Sequence, residues 1–540
     1  MIDTKALRRK VLDLAIRGKL VPQDPNDEPA SVLLERIRQQ KQQMVKEGKL
    51  RPKDIKNDSV IFVGEDNLHY EKFADGSAKC IEDEIPFDLP AGWAWARLIS
   101  LTTKIGAGST PTGGSAVYSD SGVKFIRSQN VYDDGLALDD VAYISESINQ
   151  KKAGSIVKAK DILLNITGGS IGRCALVPDD FDIANVNQHV IIIRLIDAGL
   201  RHYLHSVIIS PYIQEQIFSK QVGSGRGGLS AETLSTFLIP VPPIQEQSFI
   251  QEKMNQCVSN ISIIVTEKNE ITSLVAAARS KILDLAICGQ LVPQDPNDEP
   301  ASVLLERIRA EKEELIKQGK IKRDKKDSVI FRGEDNSYYE KIGTEVCCID
   351  EEVPFDIPDT WKWMRLESCC IKEIRRGKSP KYINESGILV FAQKCNTKYS
   401  GIDVGLALFL DESTLGRYPD DEYMQDGDVV INSTGTGTLG RVGIYHTTDN
   451  HLGLPIVPDS HVTVIRAPHS IQAFYMYVFM KANQSELEKK GEGSTNQKEL
   501  KPLTLKEMLI PIPPYSEQER IVATITAAFS TMSAIEKSLN

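Results

Sequence analysis

The sequence predicts an α+β protein: two mixed α/β domains of similar plan, separated by long antiparallel helical connectors of coiled-coil type and closed into a pseudo-twofold circular repeat. Three observations predict it. The segment Leu20–Arg38 (LVPQDPNDEPASVLLERIR) recurs without a change at Leu291–Arg309, 271 positions later. At that same offset Glu517 in the C-terminal tail falls on Glu246 and Met1 falls on Thr272, so tail and head together tile the stretch Glu246–Leu291. That stretch holds no Pro or Gly from Glu246 through Ile287, and Ile250, Met254, Val258, Ile261, Val265, Leu274 and Ala278 mark an apolar stripe of helical spacing along it.

Taken in order, residues 1–84 form the N-terminal half of one connector and a linker. Asp3 or Thr4 caps a helix over Lys5–Arg17, stopped by Gly18. Pro29 opens a second helix that runs to Gly48, as Pro300 does for one that runs to Gly319. The charged linkers Lys53–Ser59 and Lys322–Ser328 lead into SVIFVGEDN and SVIFRGEDN, each a short strand with a turn. Residues 85–243 form the first globular domain and 353–514 the second, both read as short strands, Gly-rich turns and few helices. Each begins with a tryptophan pair at strand spacing, Trp93/Trp95 and Trp361/Trp363, and these four are all the tryptophans of the chain. They serve either as buried anchors or as base-stacking platforms. Between the domains, residues 244–352 carry the long central helix, a second helix and a linker, and 515–540 supply the C-terminal half connector. About 42 helical residues rise on the order of 60 Å, too long for one small domain to bury. A partner helix is required, and the chain's head and tail supply one, packed end to end and antiparallel to the helix centred near Ile264.

The two domains share a skeleton and differ elsewhere. Asn165-x-Thr167-Gly168 with Gly172-Arg173 matches Asn432-x-Thr434-Gly435 with Gly440-Arg441; HVxxIR recurs at His189–Arg194 and His461–Arg466; IPVPPIQEQ (Ile239–Gln247) matches IPIPPYSEQ (Ile510–Gln518). Connectors that are near copies around domains with divergent surfaces suit two different readers held in fixed relation.

Composition narrows the function. Hydrophobic residues at 41% and charged ones at 26% describe an ordinary soluble protein. No run reaches the roughly 18 apolar residues of a membrane span, and the head is polar, so a cytoplasmic location is expected. Nine cysteines, none in a C-x-x-C, read as reduced thiols; His202 and His205 lack a third ligand at metal spacing. A net charge of -10 excludes a surface that wraps nucleic acid all round and leaves room for local basic stretches. Lys317–Lys326 is a solvated helix end and linker or a DNA arm; Arg375–Lys381 is a turn or a phosphate contact. Enzymatic motifs are missing: no G-x-x-x-x-G-K-[ST], no F-x-G-x-G, no H-E-x-x-H and no G-x-S-x-G. In Pro511-Ile-Pro-Pro-Tyr515 an Ile stands where an amino-methyltransferase needs a residue that accepts a hydrogen bond from the target amine.

With its circular duplication, divergent domains and twice-repeated NxTGxxxGR-like and IPxPPxxEQ motifs, each of the latter leading into a long helix, the chain closely resembles a specificity subunit of a type I restriction–modification system over nearly its whole length. The resemblance implies two target-recognition domains, each reading one half of a bipartite site in double-stranded DNA. It implies helices that set the spacer and dock two methyltransferase subunits, with restriction subunits joining the assembly. It implies a non-catalytic chain with no cofactor of its own, S-adenosylmethionine, ATP and Mg belonging to the partners. The alternative reading is a non-catalytic helical scaffold that presents two protein- or carbohydrate-binding domains.

Base edges are read by Arg, Asn, Gln and Lys, phosphates by cations and Gly-rich backbone. The first domain offers Arg127, Gln129, Asn130, Asn187, Gln188, Ser224 and Arg226. The second offers Arg375, Arg376, Lys378, Gln393, Lys394, Asn396, Asn496, Gln497 and Lys498. Arg173, Arg441, His189 and His461 occur in both copies, cannot explain different specificities, and are assigned to framework or phosphate.

Overall fold

The computed structural model describes residues 3–221, 227–321, 323, 328–398, 401–435, 437–492 and 498–539. It divides into two units, 2–268 and 269–540, so the boundary coincides with the sequence repeat and falls inside one continuous helix, Ile244–Ile287.

In the first unit the helix Thr4–Ile16 is capped by Asp3, whose carboxylate accepts from the amides of Lys5 and Ala6 at 3.0 and 2.9 Å. Arg8 donates to Ser262 at 3.2 Å, and Gln23, just past the helix, donates to Glu246 at 3.2 Å. The short helix therefore runs antiparallel to its half of the long one. In the second unit the same pairs recur 271 positions on: Arg279 donates to Ser533 at 2.9 Å and Gln294 to Glu517 at 2.5 Å, along the terminal helix Tyr515–Leu539. The second helices span Ala30–Lys46 and Ala301–Lys317, with Pro29 and Pro300 just outside as caps. They bury Ala30, Leu33 and Ile37, and Ala301, Leu304 and Ile308.

A latch ties each connector to its domain. The strand Ala94–Arg97 pairs with Leu238–Val241, Pro240 opposite Trp95; Lys362–Arg365 pairs with Leu509–Ile512, Pro511 opposite Trp363. The prolines cost no ladder bond because, among the described residues, each of these sheets has two strands, which leaves one edge of the proline strand free. Immediately beyond, Trp93 Nε1 donates to Glu246 at 2.8 Å and Trp361 Nε1 to Glu517 at 2.9 Å. Gln247 and Gln518 each donate back to a proline carbonyl, Pro242 at 3.2 Å and Pro513 at 3.0 Å. The motifs W-x-W and IPxPPxxEQ are thus two sides of one seam. All four tryptophans are buried, Trp93 at 8% exposure and the rest at 1–2%, so the anchor role stands and base stacking by them does not. Burial pushes the Glu246 and Glu517 carboxyls above their ordinary value of 4.5, against the pull of the indole and amide donors.

Each globular body is built on an antiparallel sheet covered on both faces. In the first unit its order is Cys174–Leu176, Ile162–Asn165, Val190–Leu195, Thr102–Ala107. Alternation along the strands sorts the core: Ile162, Leu164, Ile191 and Ile193 join the cluster that holds the connector residues Ala15, Ile16 and Ile250, while Leu163, Val190 and Ile192 face a second cluster with Phe125's neighbour Ile126 and Val186. The second unit repeats this with Val442–Ile444, Val429–Asn432 and Val462–Ile465. A mixed sheet closes the outer side of each body, with one parallel pair, Val123–Ile126 beside Ala184–Val186 and Leu389–Phe391 beside Ile456–Pro458. The bodies carry more helix than the sequence pattern suggests: Arg201–Ile208 with Pro211–Ser219, and Ala473–Ala482 with Gln484–Lys489. His205 lies on the first of these and meets the Cys174 carbonyl at 2.9 Å, a packing role. Among the described residues no helix is long and apolar enough to cross a membrane.

Candidate nucleic-acid interface

The repeated skeleton is a set of mutual grips. The arginine of HVxxIR is held by an aspartate at the start of the neighbouring strand: Arg194 Nε and Nη2 each donate to Asp161 at 2.7 Å, and Arg466 does the same to Asp428 at 2.7 Å. Asp161 and Asp428 are buried at 1% and 0% exposure, so each needs the bidentate partner. The histidine of that motif bonds the threonine of NxTG: Thr167 Oγ1 and His189 Nδ1 lie 2.6 Å apart, Thr434 Oγ1 and His461 Nδ1 2.7 Å.

These grips gather loops at one end of each sheet. In the first unit, Asn165 Nδ2 donates to the Ser128 carbonyl at 2.8 Å, Thr167 pairs with Gly228, and Leu229 N donates to Ile166 O at 2.9 Å. Gly108 N donates to Asn187 O at 3.1 Å, and Thr110 donates from N to Gln188 Oε1 at 3.1 Å. In the second, Asn432 Nδ2 donates to Gln393 O at 3.1 Å, Thr434 pairs with Glu499, Leu500 N donates to Ser433 O at 2.8 Å, and Gly377 N donates to Val462 O at 2.9 Å. Segments scattered along the chain therefore converge, and among them are the described ones that carry sequence candidates, 127–130 and 187–188 in the first unit and 375–378 and 393–396 in the second.

Within each cluster the structure separates presented side chains from structural ones. Gln129, Gln188, Lys394 and Lys498 are exposed; Arg127 and Gln393 are half-buried. Asn130, Asn187 and Asn396 are 2%, 7% and 1% exposed and hold turns. Asn130 accepts from Arg127 N and donates to Ala137 O, Asn187 accepts from His189 N, and Asn396 donates to Arg441 O. A short polar side chain in a loop satisfies backbone as readily as it meets a base, and sequence pattern does not separate the two roles. Arg173 stacks 4.6 Å over the Tyr132 ring, and Arg441 donates to Asn396 O at 2.8 Å. Arg375 pairs with Glu422, Lys378 approaches the same carboxylate at 3.8 Å, and Arg376 pairs with Glu499 at 3.0 Å. Glu422 is 2% exposed, and these cations first compensate a buried anion. Ser224, Arg226, Asn496 and Gln497 lie outside the described residues, as do Lys322 and 324–327 of the basic linker; Arg323 pairs with Glu313 at 2.6 Å.

Two features escaped the sequence reading. Asp161 and Asp428 begin D-x-x-x-N-x-T-G in both copies, and Gly108 and Gly377 begin G-x-(S/T)-P. A Cβ on either glycine would overlap backbone carbonyls of the facing loop, at Val186 and at Pro458 and Asp459. Recurrence in the same frame of both domains was the available signal. Among the described residues no His, Cys, Asp and Glu side chains are grouped to hold a metal ion.

A family profile, type I restriction modification DNA specificity domain, matches residues 90–273 and again 358–540, the first match ending inside the long helix that follows its domain. The chain belongs to the type I restriction–modification specificity family. It is 26% identical over 609 aligned positions to the EcoEI specificity subunit of Escherichia coli, covering 99% of this chain and 90% of that one. To the EcoAI specificity subunit of Escherichia coli it is 29% identical over 428 positions, spanning 67% of this chain and 62% of that subunit's length. A chain solved in a study of complex assembly and conformational transition of the type I restriction–modification system shares the fold, with a TM-score of 0.51 at 18% identity, over 84% of this chain and 94% of that one. The twin specificity domains of the family are the two bodies whose loop clusters are described above.

Proposed function

We propose that each globular domain reads one half of a bipartite double-stranded DNA target, and that the chain itself catalyses nothing. One observation carries this reading: identical grips, Asp–Arg, Thr–His and Glu–Trp, hold both frames, while the loops those frames present differ in sequence. A frame that is kept and a surface that is varied suit two readers of different sequences. Base reading is assigned to the exposed Gln129 and Gln188, and to Lys394 and Lys498, together with Ser224 and Arg226 and with Asn496 and Gln497. Two methyltransferase subunits dock on the chain and restriction subunits complete the assembly; S-adenosylmethionine, ATP and Mg are held by those partners. The helical connectors fix the number of unread bases between half-sites.

The test is to purify the chain together with a type I methyltransferase subunit co-expressed with it and map the modified bases. The expected result is modification at one bipartite sequence, with DNA binding that weakens steeply as salt rises. Modification without sequence dependence, or no salt-dependent binding, overturns the reading. Four residues inserted near Ile264, about one helical turn, alter the spacer and leave both half-sites unchanged; altered half-sites with an unchanged spacer refute the connector's role.

A further inference from the structure

The net charge of -10 is not spread over the chain. Residues 59–84 hold seven acidic and two basic side chains, and residues 328–352 again hold seven and two, so these two segments together carry the whole imbalance. Each folds into the same three-stranded antiparallel meander: Ser59–Val63, His69–Phe73 and Ala78–Cys80 in the first unit, Ser328–Arg332, Tyr338–Ile342 and Glu345–Cys348 in the second.

One face of each meander is spoken for. Glu71 takes Arg97 at 2.8 Å and Glu340 takes Arg365 at 2.6 Å, tying the sheet to the tryptophan strand of its own unit. The opposite face points to solvent, and solvent faces of antiparallel sheets are ordinarily polar. Here each carries a valine, a phenylalanine and a tyrosine, with a single lysine, Lys72 or Lys341. Register places Val60 opposite Lys72, Phe62 opposite Tyr70 and Tyr70 opposite Cys80; in the second copy Val329 faces Lys341, Phe331 faces Tyr339 and Tyr339 faces Cys348. Val60, Phe62, Val329 and Phe331 are 39–45% exposed, and the Phe–Tyr rings stack at 5.9 and 6.0 Å in the two copies. The GED turns (Glu65-Asp66, Glu334-Asp335) rim this face, Asp66 and Asp335 accepting from the Tyr70 and Tyr339 hydroxyls at 2.7 and 2.8 Å, whereas Glu84 and Glu352 pair with Arg97 and Arg365 toward the tryptophan strand.

We propose that the outward face of each meander docks one copy of the same partner protein, whose contact surface is apolar with a basic rim. A surface kept in duplicate meets one kind of partner twice, whereas surfaces that diverge meet different targets. The acidic rim repels phosphate, so DNA is not the occupant, and it complements a basic rim on a protein. The partner's identity as the methyltransferase subunit rests on the proposed function.

Native mass measurement of the full chain with that subunit tests it. The wild-type chain binds two copies; F62E and F331E each bind one, with affinity at the altered site reduced about 30-fold or more, as for a buried aromatic anchor; the double variant binds none. The thermal midpoint of the free variants stays at the wild-type value, since both rings are solvent-facing. With no substitution at all, Cys80 and Cys348 alkylate in the free chain and are shielded in the complex. Two copies on the double variant at wild-type affinity, or unshielded Cys80 and Cys348 in the two-copy complex, overturn the inference and leave the proposed function standing. No copy on the wild-type chain overturns both.

Discussion

Asp428→Ala strands the Arg466 guanidinium inside the second domain. The carboxylate it removes is fully buried and accepts two bonds of 2.7 Å from Arg466 and one of 2.8 Å from Gln425 N, leaving Arg466 with the Tyr423 carbonyl at 2.8 Å. Removing one member of a buried, bidentate pair costs about 3–5 kcal/mol, because the surviving charge keeps its desolvation penalty and loses its partner. For a unit of this size that lowers the melting midpoint by roughly 6–20 °C. The matching change in the first domain, Asp161→Ala, costs less, about 1–3 kcal/mol, because the Arg194 side chain is 25% exposed and water replaces part of the loss. The assay is thermal unfolding with amide exchange read at Val429–Asn432 and Val462–Ile465, the strands the pair ties together. Replacing both partners, Asp428→Leu with Arg466→Met, recovers most of the loss, since an apolar pair carries no stranded charge. A loss under about 1 kcal/mol for Asp428→Ala, or no recovery in the double variant, refutes the reasoning.

Three further outcomes are expected. Because burial raises the Glu246 and Glu517 carboxyls above 4.5, the folded state holds their protons more tightly than the unfolded one; the stability this contributes is complete below 4.5 and is lost as pH rises through the raised folded values. Urea unfolding from pH 4 to 7 therefore shows Glu246→Gln/Glu517→Gln gaining on the wild type as pH rises, and a pH-independent difference contradicts the assignment. Gly377→Ala forces a methyl group into the Pro458 and Asp459 carbonyls and costs about 1–3 kcal/mol by overpacking, with second half-site recognition lost and the first intact in a modification map. Arg226→Ala costs about 1–3 kcal/mol of binding and relaxes preference at one base pair if it reads a guanine; a loss uniform across all sequences makes it a phosphate contact.

The connectors were legible because they are written twice. A run of 44 helical residues without Pro or Gly has one regular solution, and the second copy of Leu20–Arg38 removes ambiguity about where it ends. The domain interiors were less so. Ala473–Ala482 (AFYMYVFMKA) buries Tyr475, Met476, Val478, Phe479 and Met480 around most of its circumference, so no polar side marks the helical period and its composition suits a strand equally well. In the loop clusters neighbouring candidates part ways: Gln129 and Lys394 face solvent, while Asn130 and Asn396, one or two positions away, are sealed into turns. Proximity in sequence fixes a loop, and burial, which depends on what packs beneath it, decides which of its residues is offered outward.

The seam formed by Trp93 with Glu246 and by Trp361 with Glu517 has a practical consequence for measurement. Each perturbation of one seam leaves its twin intact in the same polypeptide, at the same concentration, temperature and salt. A Trp93→Phe chain thus carries its own reference in Trp361, and an indole signal that shifts for one half alone reports the local change free of any difference between preparations. The duplication makes this molecule a matched pair, sample and standard on one strand of peptide.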